Sequence, residues 1–302
     1  MSPKIKGSTG ERQSGSEEME QLLFIGREGI KRVSFLGNQI VALGECLYID
    51  EDEICPEELI DFSIYEDAGV MALLGHENLY IYSINKSLMT KYSLDLDFML
   101  LNASRVSLGP SGMVLCGTDD EGPLALLVDY RTGNIRYEFN ANCVDALVKS
   151  GEVHMINVDV PEDFTMDYVA KLDIYDLRKR TLETVYYEVS EELTEGRLRA
   201  GWGEELFCFN GVTRMSDRMK FPGLFGLPLP SGFIITFKMD SMNVFNREGM
   251  LIMTEDVGWI MDADWRSNLL LLGGPEGIKL YKLSVEELEA RSVERLEERR
   301  KA

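Results

Sequence analysis

Seven times along this chain, a small residue inside an apolar run is followed six or seven positions later by the start of a second apolar run. The small residues are Ser34, Ser63, Ser107, Ala146, Ala200, Gly226 and Ala263, and the second runs start at Ile40, Val70, Met113, Val153, Leu206, Phe233 and Leu269. Between the two columns lie turn residues, such as Gly37-Asn38, Pro110-Ser111-Gly112, Pro230-Ser231-Gly232 and Ser267-Asn268, which supply the left-handed backbone that tight hairpins need. Glycine tends to close the second run, at Gly44, Gly75, Gly117, Gly211 and Gly273. Residues 21–283 carry almost no helical periodicity, so the repeating unit is a β-hairpin. A β-hairpin cannot bury both faces alone, whereas repeating units stacked against one another can.

The unit resembles the inner hairpin of a WD40-type β-propeller blade, most closely at Ser107-Leu108-Gly109-Pro110-Ser111-Gly112 and Leu229-Pro230-Ser231-Gly232. Third runs such as Leu79–Tyr82, Leu172–Arg178 and Ile278–Tyr281 are similar to that family's strand before its Trp-Asp. The Trp-Asp dipeptide is absent, and Gly-His occurs only as Gly75-His76 at the end of a second run, so the resemblance is one of architecture. It implies an all-β fold, a seven-bladed propeller over residues 21–283. Residues 1–20, rich in Ser, Gly and Glu, are read as a disordered tail, and 284–302 as a charged C-terminal helix. The helix starts before a fourth strand of the last blade can form, while Leu22–Ile25 is a spare strand, so this N-terminal strand is expected to close the ring. Ser284-Val285-Glu286-Glu287 reads as a capping box, followed by a narrow apolar stripe of Val285, Leu288, Val293 and Leu296. That stripe either packs on its own domain or docks a partner.

No nucleotide loop, GxSxG elbow or HExxH motif occurs. His76 and His154 lack a second ligand at metal spacing and read as structural or surface histidines. Asp145 and Asp262 both precede the small-residue column, with Asp61 nearby, and could set carboxylates around an axial channel. Arg199 shares their position, which makes internal ion pairing the more economical account. No catalytic residue, metal site or cofactor is therefore expected; an axial-channel enzyme built on Asp145 and Asp262 is the alternative.

The chain carries 31 basic and 52 acidic residues, a net charge of −21, which argues against a nucleic-acid backbone binder or an anionic membrane surface. On the blade frame the acidic residues gather in loops of one face, and the opposite face is mixed. The expected function is a non-catalytic protein–protein interaction scaffold docking a basic partner on the acidic face. The candidate residues are Asp119, Asp120, Glu121, Glu162, Asp163, Glu191 and Glu192, with Phe98, Met99, Phe164 and Met242 as apolar anchors. A structural subunit held in a larger complex by its C-terminal helix is a further alternative. Cys46, Cys55, Cys116, Cys143 and Cys208, an odd and widely spaced set, read as reduced thiols, and with no signal-peptide core the expected compartment is cytoplasmic.

Overall fold

A computed structural model describes residues 19–96, 99–100, 102–119, 122–159, 167–190, 196–209, 211–215 and 219–301. Among these, the strands form seven four-stranded antiparallel sheets, and one short ladder pairs Asp95–Leu96 with Met99–Leu100. Each sheet is a blade, and in six of them the strands run in chain order from the axis outward. Blade 2, for example, is built from Leu59–Tyr65, Val70–Gly75, Asn78–Ser83 and Leu88–Ser93. The innermost strands of the other six are Arg32–Leu36, Asn102–Gly109, Cys143–Val148, Arg197–Gly201, Phe225–Pro228 and Asp262–Arg266. Every member of the small-residue column lies on one of these strands.

Blade 7 breaks the sequential rule. Its outer strand is Gln21–Ile25, paired antiparallel with Gly277–Lys282 through Leu23↔Leu280 and Ile25↔Ile278. The ring thus closes with the two ends of the propeller in one sheet, as the spare N-terminal strand implied, and the free edges of each sheet are its innermost and outermost strands.

The hairpin turns obey the expected chemistry. In blade 7 both Ser267 and Asn268 take positive φ (50° and 65°), matching the right-handed twist of the flanking strands. Packing between blades is apolar and close. The largest buried cluster runs from Leu206 through Ile234 and Leu270 to Leu288, so it joins blades 5, 6 and 7 to the C-terminal helix.

The small-residue column is less uniform than its spacing suggests. Counted from the register of the first hairpin, Ser34, Ser63 and Ser107 are equivalent, but Ala146, Gly226 and Ala263 sit one residue earlier. Side chains alternate faces along a strand, so these three turn to the opposite face of their blades. At Gly226 a side chain would meet the Ile235 carbonyl at 2.9 Å, which explains the small residue there by close packing.

The C-terminal helix, Val285–Lys301, docks back onto blade 6. Leu288 is buried and Val285 packs against the same core. Ser292 accepts a hydrogen bond from Asn246 Nδ2 at 2.9 Å, and the Ser231 hydroxyl donates to Glu289 at 2.8 Å. The start of the helix differs in detail from a capping box. The Ser284 hydroxyl receives the Glu287 amide at 3.4 Å, yet the carboxylate it donates to is that of Glu286, at 2.6 Å. Val293 and Leu296 remain 56% and 38% exposed, so half of the predicted stripe packs in cis and half faces solvent.

Candidate interaction surfaces and the ion-paired axis

Two residues before each of Ser34, Ser63 and Ser107 stands a charged residue, and the same structural position recurs in every blade. Reading round the ring it is Arg32, Asp61, Arg105, Asp145, Arg197, Phe225 and Asp262, each opposite the equivalent residue of its second strand. In blades 2, 3 and 4 a register shift immediately precedes this position, which re-aims the side chain. The three aspartates each accept a backbone N–H from the innermost strand of the next blade: Asp61 from Val106 (2.9 Å), Asp145 from Leu198 (2.7 Å), Asp262 from Val33 (3.1 Å). They are blade-to-blade latches. Two residues further along the strand, Ser63 and Asp264 do the same for Leu108 and Phe35.

Charge at the axis is balanced by contact. Arg32 reaches Asp61 at 2.7 Å and Asp262 at 3.3 Å; Asp262 also receives Arg197 at 3.1 Å and Arg199. The Arg197 guanidinium lies over the Phe225 ring, 4.7 Å from its centroid. Burial alone pushes the Asp262 carboxyl up, but Arg199, Arg32 and Arg197 outweigh it and hold the group below its ordinary range. At Asp61 burial wins over Arg32 and Arg105, and its carboxyl is raised. Asp145 and Asp262, the pair on which an axial metal site could have been built, are therefore engaged with backbone amides, and arginines crowd Asp262. This donor set repels a divalent cation rather than holding one. Arg199 lies two residues beyond the shared position and reaches back to Asp262. Above the ring, a cavity of about 230 Å³ opens on the hairpin-turn face beside Trp202 and Trp265.

Both histidines have local explanations. His154 is buried between Glu205 (2.9 Å from Nδ1) and Glu152 (3.1 Å from Nε2), and burial lowers its pKa. His76 is exposed, 3.9 Å from Glu58.

The cysteines differ from the sequence expectation. Cys46 and Cys55 form a disulfide across the outer hairpin of blade 1, with Cα atoms 5.0 Å apart. That hairpin has strands of only three residues, Leu47–Ile49 and Asp52–Ile54, and the bridge ties their open ends together. Five reduced thiols, the premise of the compartment argument, are thus not what the fold holds. Among the described residues no helix is long and apolar enough to cross a membrane.

Of the candidate partner-binding residues, Asp120, Glu121, Glu162, Asp163, Phe164, Glu191, Glu192 and Phe98 lie outside the described residues, as do the side chains of Asp119 and Met99. Met242 is a correction. It lies inside the strand Ser241–Phe245 and is fully buried in the core shared by blades 5–7, so it cannot anchor a partner.

Its neighbour three residues earlier is exposed instead. Met239 is 65% exposed in the turn between the second and third strands of blade 6. Two other exposed apolar residues adjoin that turn. Leu224 (42% exposed) donates its backbone N–H to Phe237 at 2.7 Å, and the loop carrying Trp259 (57% exposed) is tied to the turn where Asp240 O receives the Val257 and Gly258 amides. Exposed Asp240, Asp256 and Glu276 border this group, with Lys238 in the same turn. Lys279 beneath the loop is consumed by Val257 O (2.9 Å) and Glu276 (3.0 Å).

No family model matches the sequence, and no curated protein matches it significantly. Solved structures do. The WD40 β-propeller domain of Doa1 superposes with a TM-score of 0.61 at 12% identity, covering 89% of this chain and 98% of that one. BamB from Moraxella catarrhalis gives a TM-score of 0.54 at 10% identity, covering 88% of this chain and 100% of that one. PorZ, a surface component of the type-IX secretion system of Porphyromonas gingivalis, gives 0.56 at 8% identity, covering 87% of this chain but only 38% of PorZ. At such identities the likeness is one of fold, and with the blade order and ring closure above it makes this chain a seven-bladed β-propeller of WD40-like architecture.

Proposed function

We propose that this chain is a non-catalytic interaction propeller that docks a basic protein partner on the acidic face around blade 6. The observation that carries the reading is the grouping of Trp259, Met239 and Leu224, all exposed, inside a border of Asp240, Asp256 and Glu276. Large exposed apolar side chains cost solvation, and a rigid tryptophan within a polar rim is the composition of an interface centre. The acidic rim supplies steering and selectivity for a positively charged segment, while the apolar residues supply affinity. Rigidity comes from the hydrogen bonds that tie the loop of Trp259 to the turn of Met239, so little ordering cost falls on binding. The axis offers no competing chemistry of comparable promise, because its carboxylates serve as latches between blades. Propellers of other chains in the same fold include a component of a secretion system, PorZ, which is in keeping with an assembly role.

The test is capture of partners from the native cell extract on immobilised wild-type protein, the pair variant Met239→Ala/Trp259→Ala and the triple variant Asp240→Asn/Asp256→Asn/Glu276→Gln. The reading expects a basic protein that wild type retains and both variants release. An unchanged set of captured proteins refutes it.

A further inference from the structure

Blades 3 and 4 meet at a second pair of cysteines. Cys116 lies on the second strand of blade 3 and Cys143 opens the innermost strand of blade 4, and their sulfurs are 2.6 Å apart. Two sulfur atoms that are not bonded to each other separate by roughly the sum of their radii, about a full ångström more than this, while a disulfide holds them only about half an ångström closer. Both side chains are buried in one apolar cluster with Val114, Ala146 and Met155. Nothing polar in that cluster explains so close an approach: the Cys143 sulfur's other partner is the Asp145 carbonyl at 3.4 Å, a long contact. Cys208, by contrast, sits alone in blade 5 with its sulfur near the Thr213 hydroxyl at 3.2 Å.

We propose that Cys116 and Cys143 are a disulfide-forming pair, an inter-blade staple closed by oxidation during folding. The step is thiol–disulfide exchange with a small disulfide such as oxidised glutathione. One cysteine thiolate attacks it and displaces glutathione thiolate. The second thiolate then attacks the mixed disulfide and displaces another. Two protein thiols are thereby oxidised, one glutathione disulfide is reduced to two glutathione thiols, and the protein's two protons leave with them. Because both sulfurs are buried in the finished ring, exchange happens before blade 4 closes on blade 3. The staple sits part-way round the ring from the blade 7 clasp, so the ring would be held covalently at one boundary and by strand pairing at another.

Tryptic mapping tests this without any variant. Cleavage places Cys116 in the peptide 106–131 and Cys143 in 137–149, whereas Cys46 and Cys55 share the peptide 33–86. Protein refolded with a glutathione redox pair, alkylated under denaturing conditions and digested without reduction should yield 106–131 joined to 137–149, a species lost on reduction. The same sample should show one alkylated cysteine, Cys208. The Cys116→Ala/Cys143→Ala variant should melt about 5–10 °C lower than the oxidised wild type, and its melting should be as sensitive to reductant as the Cys46–Cys55 bridge alone makes it. Recovery of Cys116 and Cys143 fully alkylated after oxidative refolding overturns the proposal, as does pairing of either one with Cys208.

Discussion

Replacing Asp262 by alanine removes a carboxylate that three guanidiniums share. The residue is fully buried, and Arg32, Arg197 and Arg199 converge on it while its second oxygen receives the Val33 amide. Breaking a buried pair from one side leaves charge without a partner and costs about 3–5 kcal/mol. The orphaned Val33 N–H adds about 1–3 kcal/mol. Against a total of about 5–15 kcal/mol for a domain, Asp262→Ala should stand near the edge of folding. Asp262→Asn separates the two parts, since its amide oxygen can still accept from Val33 while the charge is gone; its cost should be about 3 kcal/mol. Urea unfolding followed by circular dichroism reads both, with the midpoint falling by about 1 M or more for the alanine variant.

The pH dependence carries the sign. Asp262 is held below its ordinary range in the fold, so its contribution is in place above the unfolded value near 3.9 and is lost as pH falls through the lower folded value. Asp262→Asn should flatten that acid limb. If Asp262→Ala loses less than about 1 kcal/mol, or the asparagine variant keeps the full acid dependence, the account of the axis as an ion-paired latch fails.

Asp264 should behave in the opposite sense. Burial raises its carboxyl despite the Phe35 amide and Ser34 hydroxyl that it accepts, so the fold loses stability as pH rises from the ordinary value through the raised one. Asp264→Asn should therefore cost little or stabilise at pH 7, as urea midpoints at pH 4 and pH 7 will show. Leu288→Ala should cost about 2–4 kcal/mol and raise amide exchange along the helix, while Val293→Ala, at an exposed position, stays within about 0.5 kcal/mol. Removing the Cys46–Cys55 bridge as a pair of alanines should cost about 2–3 kcal/mol, the loop-closure value for a separation of nine residues, read as a shift in urea midpoint.

Local features of this chain were legible because they are written locally. Turn residues between apolar runs fixed all seven inner hairpins, and the shortage of a last strand together with the surplus of Leu22–Ile25 pointed to the clasp. What escaped was written across distance. Arg32, Asp61 and Arg105 each stand two residues before a column serine, a signal available in the sequence, but the pairing of Arg32 with Asp262 spans more than two hundred residues. The Cys46–Cys55 bridge depends on the two Cα atoms meeting across a hairpin, which spacing alone does not decide. Met242 was misread because strand and turn differ there by two residues. The strand is buried from Met242 through Phe245 while Met239 stands outside it in the turn, and an acidic flank looks the same from either position. Trp259 follows a Val-Gly in a blade connection and was passed over, although an aromatic in such a loop is what an interface centre requires.

The central claim is that the face around blade 6 holds a basic segment, and the three tryptophans allow it to be watched there alone. In Trp202→Phe/Trp265→Phe protein, shown to be folded by circular dichroism, Trp259 is the sole tryptophan. Titration with a synthetic twelve-residue peptide of lysine, arginine and leucine should give a saturable change in its fluorescence. Neutralising Asp240, Asp256 and Glu276 in that background should weaken binding about tenfold and flatten its salt dependence. A titration with no saturable change, or one of equal affinity after the three charges are removed, contradicts the account.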